Sequence, residues 1–279
     1  MQPSTRKPAR KFSSHQSLRK HFRKIIFWRQ PAREGLVFSL RFRAVLFDCV
    51  GTLFRVEVDY ELQLKLLHGK LVEAGFTSPY KDFLKAYGKA YAKYLKVRVE
   101  ELREVTNSFW TAEALQMLGY EADPSDPEIE RAVEAYFEPY IEAVKPVECL
   151  TEVFETLKPS YKLGVVTNFT YAPAMRRILS KIGILNMLDA VAISHEVGWR
   201  KPHPKIFLSA LQTLKIRVAE TLFVGDDPYD DVAGARRIGM RSALVAKPGN
   251  MDKASREASV RPDFSLDSIC SLKDFLGRD

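Results

Sequence analysis

From residue 146 onward the chain alternates between two periodicities, and that alternation constrains the fold more than any other feature. Residues 163–167, 190–194, 221–225 and 242–246 are short apolar runs suited to buried strands. Segments with helical spacing lie between them, near 149–157, 171–182, 203–214 and 229–238. Such alternation predicts a doubly wound α/β fold, a parallel sheet with helices on both faces. An earlier apolar run, Ala44, Val45, Leu46 and Phe47, reads as one more buried strand and ends abruptly in Asp48, after which Gly51 and Thr52 turn the chain. A carboxylate at the end of a buried parallel strand sits where open α/β sheets bind ligands.

Between that strand and residue 146 the pattern is helical. Tyr60, Leu64, Leu67 and Leu71 recur at helical spacing, as do Phe83, Tyr87, Tyr91 and Leu95. A third segment, 108–118, stops at Gly119, a helix C-terminal glycine. Asp126 followed by Pro127 reads as an N-cap and a first helical proline, opening a fourth helix toward Val144. The predicted organisation is an α/β core at 41–56 and 146–279, with a helical cap at 57–145 inserted after the first strand.

Composition narrows the class. A chain of 279 residues has room for about two domains. No apolar run approaches the ~18 residues that a membrane span needs. The net charge of +8 suggests a polyanion partner, but its distribution does not. Residues 1–40 hold ten of the 43 Lys/Arg and one of the 35 Asp/Glu, so the rest of the chain is close to neutral. The folded body is therefore not expected to bind nucleic acid. The basic stretch reads as disordered or processed; it has the composition of an organelle transit peptide or an electrostatic anchor, and an upstream mis-called start would look the same. Three scattered cysteines, Cys49, Cys149 and Cys270, with no C-x-x-C pair, argue for a reducing, cytoplasmic setting and against a disulfide or structural zinc. The sequence carries no signal for an oligomeric state.

Four segments, in order, carry chemistry. They are Asp48-Cys49-Val50-Gly51-Thr52-Leu53, the apolar strand ending in Thr167-Asn168, the run Arg200-Lys201-Pro202-His203-Pro204, and Gly225-Asp226-Asp227-Pro228-Tyr229-Asp230-Asp231 continuing to Gly239. Together they resemble the four motifs of the haloacid dehalogenase (HAD) superfamily, hydrolases built on a Rossmann-like core with an aspartate nucleophile. The resemblance covers about 41–279. It implies Asp48 as nucleophile, Thr167 and Lys201 as catalytic partners, and Gly51, Thr52 and Asn168 as substrate contacts. It also implies a Mg²⁺ held by Asp48, the backbone carbonyl of Val50 and Asp226, with Asp231 orienting the metal shell. The expected activity is a Mg²⁺-dependent phosphatase acting on a small phosphorylated metabolite.

Val50 departs from the family pattern, because most phosphatases of the family have a second Asp there. Val keeps the carbonyl but loses the side-chain acid/base, and general acid–base catalysis contributes typically about 10²–10⁴-fold. Either another residue supplies the proton, with Glu57, Asp59 and His68 as candidates, or the substrate has a good leaving group. A 2-haloacid dehalogenase also lacks the second Asp, but the intact Gly225-Asp226 argues for metal. A phosphonatase would need a cap lysine, for which Lys65, Lys70, Lys81 and Lys85 are surface candidates. A non-catalytic HAD-fold binding protein is the fourth reading, set against by the retention of Asp48, Thr167, Lys201 and Asp226.

Smaller features have milder readings. Asp230 is expected to be a helix N-terminal charge, with Asp227 open between that and a site role. Tyr87, Tyr91 and Tyr94 are expected to pack the cap, His195 and His203 to sit in loops, and Trp199 to line the site entrance.

Overall fold

The computed structural model describes residues 42–245 and 261–276. The expectations for residues 1–40 and for Ala246 lie outside them. The apolar run at Ala44–Phe47 forms β1, whose side chains are fully buried. It pairs in parallel with β4 (Lys162–Thr167) on one side and β6 (Thr221–Gly225) on the other, so that Phe47 lies opposite both Val165 and Val224. β5 (Ala190–Ile193) extends the sheet beyond β4, and β7 (Arg241–Val245) and β8 (Phe264–Leu266) extend it beyond β6. All pairings in this sheet are parallel, as the alternation predicts.

Successive strand side chains point to opposite faces. Val45 and Phe47 therefore join one core layer, where Phe47 stacks on Phe154 of α5 (Leu150–Leu157) with centroids 5.1 Å apart. Ala44 and Leu46 join the other layer with Ile206 and Phe207 of the helix Pro204–Leu214. Strand order changes direction at β1, since the chain continues to β4 on one side and returns to β6 on the other. The carboxyl ends of these three strands therefore open the crevice where such sheets hold ligands.

The chain leaves β1 through a turn in which Gly51 takes a φ of +94°. It then enters β2 (Phe54–Val56), which pairs antiparallel with β3 (Val144–Pro146). This short ribbon carries the helical insert: α1 (Tyr60–Glu73), α2 (Tyr80–Glu100), α3 (Asn107–Met117) and α4 (Pro127–Glu142). Three-residue strands have no periodicity to read, so the ribbon was not legible in the sequence. Asp59 and Asp126 cap α1 and α4 by accepting from the backbone N–H of Glu61 and Glu128. α1 packs along α4, and α2 along α3.

Two expectations need correction. The single helix expected at 229–238 is a wider π-type turn at Pro228–Ala233 followed by a short helix at Gly234–Arg237. Cys149 and Cys270 form a disulfide, tying the turn at Ile269–Ser271 to the start of α5. A separation of 121 residues hid that proximity, and Cys49 remains as the buried free thiol. Among the described residues, no helix is long and apolar enough to cross a membrane.

Candidate active site

The ends of the three central strands bring together residues from the first, third and fourth motifs. Asp48 follows β1, and Lys201 enters from the loop before the helix Pro204–Leu214. The Lys201 Nζ donates to Asp48 Oδ1 at 2.6 Å and to Asp231 Oδ1 at 2.7 Å. Lys201 and Asp231 are almost fully buried, and Asp48 is buried at the mouth. Burial alone would lower the Lys201 pKa, but the charges of Asp231 and Asp48 outweigh it and hold the ammonium protonated. Burial pushes the carboxyls of Asp48 and Asp231 up, with Lys201 pulling the other way.

Carboxylate oxygens of Asp48, Asp226 and Asp231 lie within 4.8 Å of one another. Three carboxylates facing one ammonium leave an excess of negative charge. An all-oxygen donor set of this kind suits a hard divalent cation.

Asp231 is held in place by its own bonds. Its Oδ2 accepts from the backbone N–H of Asp226 at 3.0 Å and of Asp227 at 2.9 Å, which fixes the strand end that carries Asp226. Gly225 makes this possible, because a Cβ there would lie 2.2 Å from Asp231 Oδ2. Of the two neighbouring acids, Asp227, left open by the sequence, takes the capping role expected of Asp230, accepting from the backbone of Tyr229 and Asp230. Asp230 is no plain helix charge: it is largely buried, accepts from Asn168 Nδ2 at 3.1 Å, and is pushed up to about 6 by burial.

The three residues expected to touch substrate are bonded within the protein. Gly51 donates its N–H to Phe54 O at 2.7 Å, so its part here is the left-handed turn. The Thr52 hydroxyl lies between carboxylates, 3.3 Å from Asp48 Oδ2 and 3.1 Å from Asp226 Oδ1. Asn168 clamps Lys201, accepting its N–H at 2.7 Å and donating to its carbonyl at 3.1 Å. The buried Thr167 hydroxyl, in contrast, bonds no nitrogen or oxygen and lies beside the Cys49 thiol. Val50 is 38% exposed.

A cavity of about 440 Å³ lies between the insert and the loop after β4. Tyr60, Tyr91, Trp110, Tyr136, Tyr140 and Phe169 form most of its wall, and Gln63, Arg98, Asn107 and Asn168 add polar groups. Tyr140 lies within electrostatic reach of Asp48. Burial and then the charges of Cys49 and Asp48 push its hydroxyl pKa up. Tyr91 and Tyr87 line this space as well as packing the insert, while Tyr94 packs on Phe109 instead. Glu57, Asp59 and His68 do not line it; His68 bonds Ser78 O and stacks near Phe83. Neither does Trp199, which stacks on His203 with centroids 4.0 Å apart.

Sequence reading missed a polar seam at the cavity edge. Glu104, in the loop between α2 and α3, is 1% exposed at its side chain. It accepts from Arg98 Nε at 2.9 Å, from Arg200 Nη1 at 2.6 Å and from the Ser194 hydroxyl. Backbone bonds reinforce it, Glu104 N to Gly198 O at 3.1 Å and Arg200 N to Leu102 O at 2.9 Å. Arg98 and Glu104 belong to no motif, and the pairing spans about a hundred residues, so no local signal announced it.

The profile of haloacid dehalogenase-like hydrolases matches residues 80–245, and the chain belongs to that family. It is 27% identical over 239 residues to the glyceraldehyde 3-phosphate phosphatase of Methanopyrus kandleri, covering 83% of this chain and 96% of that one. It is 28% identical over 248 residues to the haloacid dehalogenase-like hydrolase domain-containing protein 3 of Bos taurus, covering 85% and 96%. Among solved structures, a 2-haloacid dehalogenase from Pseudomonas syringae pv. Tomato superposes with a TM-score of 0.63 at 22% identity, over 85% of this chain and 99% of that one. A HAD phosphatase from Thermococcus onnurineus gives 0.57 at 22% identity, over 85% and 98%. The two structures share the fold; family membership makes the chain a hydrolase.

Proposed function

We propose that this hydrolase is a Mg²⁺-dependent phosphatase that uses Asp48 as nucleophile on a small phosphorylated metabolite. The observation that carries the reading is the buried group of Asp48, Asp226 and Asp231 around the Lys201 ammonium. Phosphoryl transfer is mainly positioning plus neutralisation of charge on the phosphoryl oxygens, and this group is suited to both. When bound, Mg²⁺ would be held by Asp48, Asp226 and the Val50 carbonyl and would offset charge on the phosphoryl oxygens. Lys201 orients the Asp48 carboxylate and adds a second positive charge. Thr167, whose buried hydroxyl bonds no nitrogen or oxygen of the protein, is poised to donate to a phosphoryl oxygen. Asp231 holds the Asp226 backbone, and Asn168 holds Lys201, so both act as positioning residues.

In this reading the insert at 57–145 is a cap over a core of 41–56 and 146–279, closing the cavity over the phosphoryl site. The names of the archaeal relatives, glyceraldehyde 3-phosphate phosphatase and ribulose-1,5-bisphosphate 5-phosphatase, support small phosphorylated substrates. Asp226, inside the carboxylate group, argues against the metal-free dehalogenase reading. The completeness of the group argues against a non-catalytic one. Release of inorganic phosphate from acetyl phosphate with Mg²⁺ tests the proposal. Asp48→Asn and EDTA should each abolish it, and full activity in either case would overturn the reading.

A further inference from the structure

Val50 leaves the origin of the leaving-group proton open, and the cavity bears on it. The titratable side chains that line the cavity are phenols and one guanidinium: Tyr60, Tyr87, Tyr91, Tyr136, Tyr140 and Arg98. Such groups hold their protons to about pH 10 and above, so none is an efficient proton donor near neutrality. Burial raises Tyr60, Tyr87, Tyr136 and Tyr140 further. Among the described residues, no carboxyl or imidazole lines this space. The three side chains that could have replaced the missing acid, Glu57, Asp59 and His68, are outside it. Asp230 is outside it too, with its carboxylate turned to Asn168.

The same wall is rich in aromatic faces. Trp110 meets Tyr91 edge-on at 5.6 Å and donates its Nε1–H to Tyr87 at 2.7 Å, so these rings are fixed before any ligand arrives. Fixed aromatic faces favour a flat aromatic guest through offset and edge-to-face contacts. Arg98 sits over Trp110 at 5.7 Å with its Nε given to Glu104.

We infer that the substrate class is the aryl phosphates, monoesters of a phenol-type hydroxyl whose ring occupies the aromatic cavity while the phosphoryl group meets Asp48. The inference rests on the phosphatase reading. A phenolic oxygen leaves as a phenolate without a proton donor, which an alkoxide cannot readily do. In the first step an Asp48 oxygen bonds to phosphorus, and the bond to the aryl oxygen breaks with its electron pair leaving on the phenolate. In the second, water attacks phosphorus, the bond to Asp48 breaks, and the carboxylate returns. The sum is aryl phosphate dianion plus water giving phenolate plus dihydrogen phosphate, and the proton then exchanges with solvent.

The test is kcat/KM with Mg²⁺ over 4-nitrophenyl, phenyl and 4-methoxyphenyl phosphates, against glycerol 3-phosphate and glyceraldehyde 3-phosphate, with acetyl phosphate as a ring-free good leaving group. Turnover should fall steeply as the leaving-group pKa rises, with the alkyl esters at least about 10²-fold below phenyl phosphate. Val50→Asp, at an exposed position where a carboxylate is easily accommodated, should raise alkyl turnover by about 10²-fold or more and flatten that dependence. Tyr91→Leu, with folding checked by thermal unfolding, should raise KM for phenyl phosphate about tenfold more than KM for acetyl phosphate. Equal kcat/KM for alkyl and aryl esters would overturn the inference and leave the phosphatase reading standing. Equal KM effects in Tyr91→Leu would overturn the ring assignment. No phosphate release from any compound, acetyl phosphate included, would sink the phosphatase reading itself.

Discussion

Arg200 donates to Glu104 across 2.6 Å, and that bond joins the segment leading into Lys201 to the loop between two helices of the insert. Arg98 shares the same carboxylate from the insert side. One buried acid thus holds two guanidinium groups, one at the cavity wall and one beside the lysine that faces Asp48.

Removing that acid leaves two cations without their acceptor. Breaking a buried pair by deleting one partner costs about 3–5 kcal/mol. Glu104→Ala should therefore lower Tm by roughly 10 °C, at about 2–4 °C per kcal/mol for a chain of this size. Glu104→Gln keeps the shape and should lose less. A fall of under about 2 °C in a thermal melt of Glu104→Ala would mean the carboxylate contributes no more than a surface pair.

Gly225→Ala tests whether Asp231 sets the geometry of the fourth motif. The added methyl would sit 2.2 Å from Asp231 Oδ2 and 2.4 Å from its Cγ. The carboxylate must move, releasing the Asp226 and Asp227 N–H groups and pulling on Lys201. Disturbing a group that orients metal ligands typically costs 10–100-fold in metal affinity or activity, so the Mg²⁺ concentration for half-maximal turnover should rise about tenfold or more. A Mg²⁺ titration of the variant that overlays the wild type would remove Asp231 from this role.

His195 should make stability fall on the acid side of neutrality. Its Nδ1 accepts from the backbone of Ala172 at 2.8 Å, at the first residue of the helix Ala172–Lys181. Burial, the largest influence, lowers its pKa. The folded protein therefore prefers the neutral ring. Above about pH 6.5 both folded and unfolded chains hold it neutral and no difference arises. As pH drops below that value the unfolded chain takes up the proton first, and stability declines until the folded pKa is passed. His195→Gln should show a smaller loss of Tm between pH 7.5 and 5.5 than the wild type, and identical slopes would show that His195 does not contribute.

Reducing the Cys149–Cys270 bridge should destabilise the chain without touching the chemistry. The bridge closes a loop of 121 residues, and loss of a native disulfide typically costs about 2–5 kcal/mol. Cys270→Ser should unfold at a lower temperature than the oxidised wild type and match the wild type treated with reductant. Persistence of a gap between reduced wild type and variant would point to packing of the serine rather than the bridge.

Much of the architecture was legible along the chain because the physical signals are local. Apolar runs of four to six residues mark the parallel strands, and the cap at Asp126 acts on an N–H group two residues away. The motif residues could be named for the same reason: each stands next to a strand end or a turn that sequence reveals. Roles within the site were less legible. Asp227 and Asp230 are both acids near a helix start, and nothing local says that one caps while the other reaches Asn168, 62 residues away. Gly51, Thr52 and Asn168 read as substrate contacts, and their bonds within the protein were not legible in the sequence.

The sequence by itself determined the fold class, the family and the buried charges at the strand ends, because strand periodicity, turn glycines and ordered motifs are properties of neighbouring residues. It also determined that residue 50 carries no acid. Only the tertiary structure decided what surrounds that gap. The aromatic cavity, the Glu104 seam and the disulfide all join residues distant in the chain. Such contacts depend on how the helices of the insert pack over the sheet, and no short-range pattern records that.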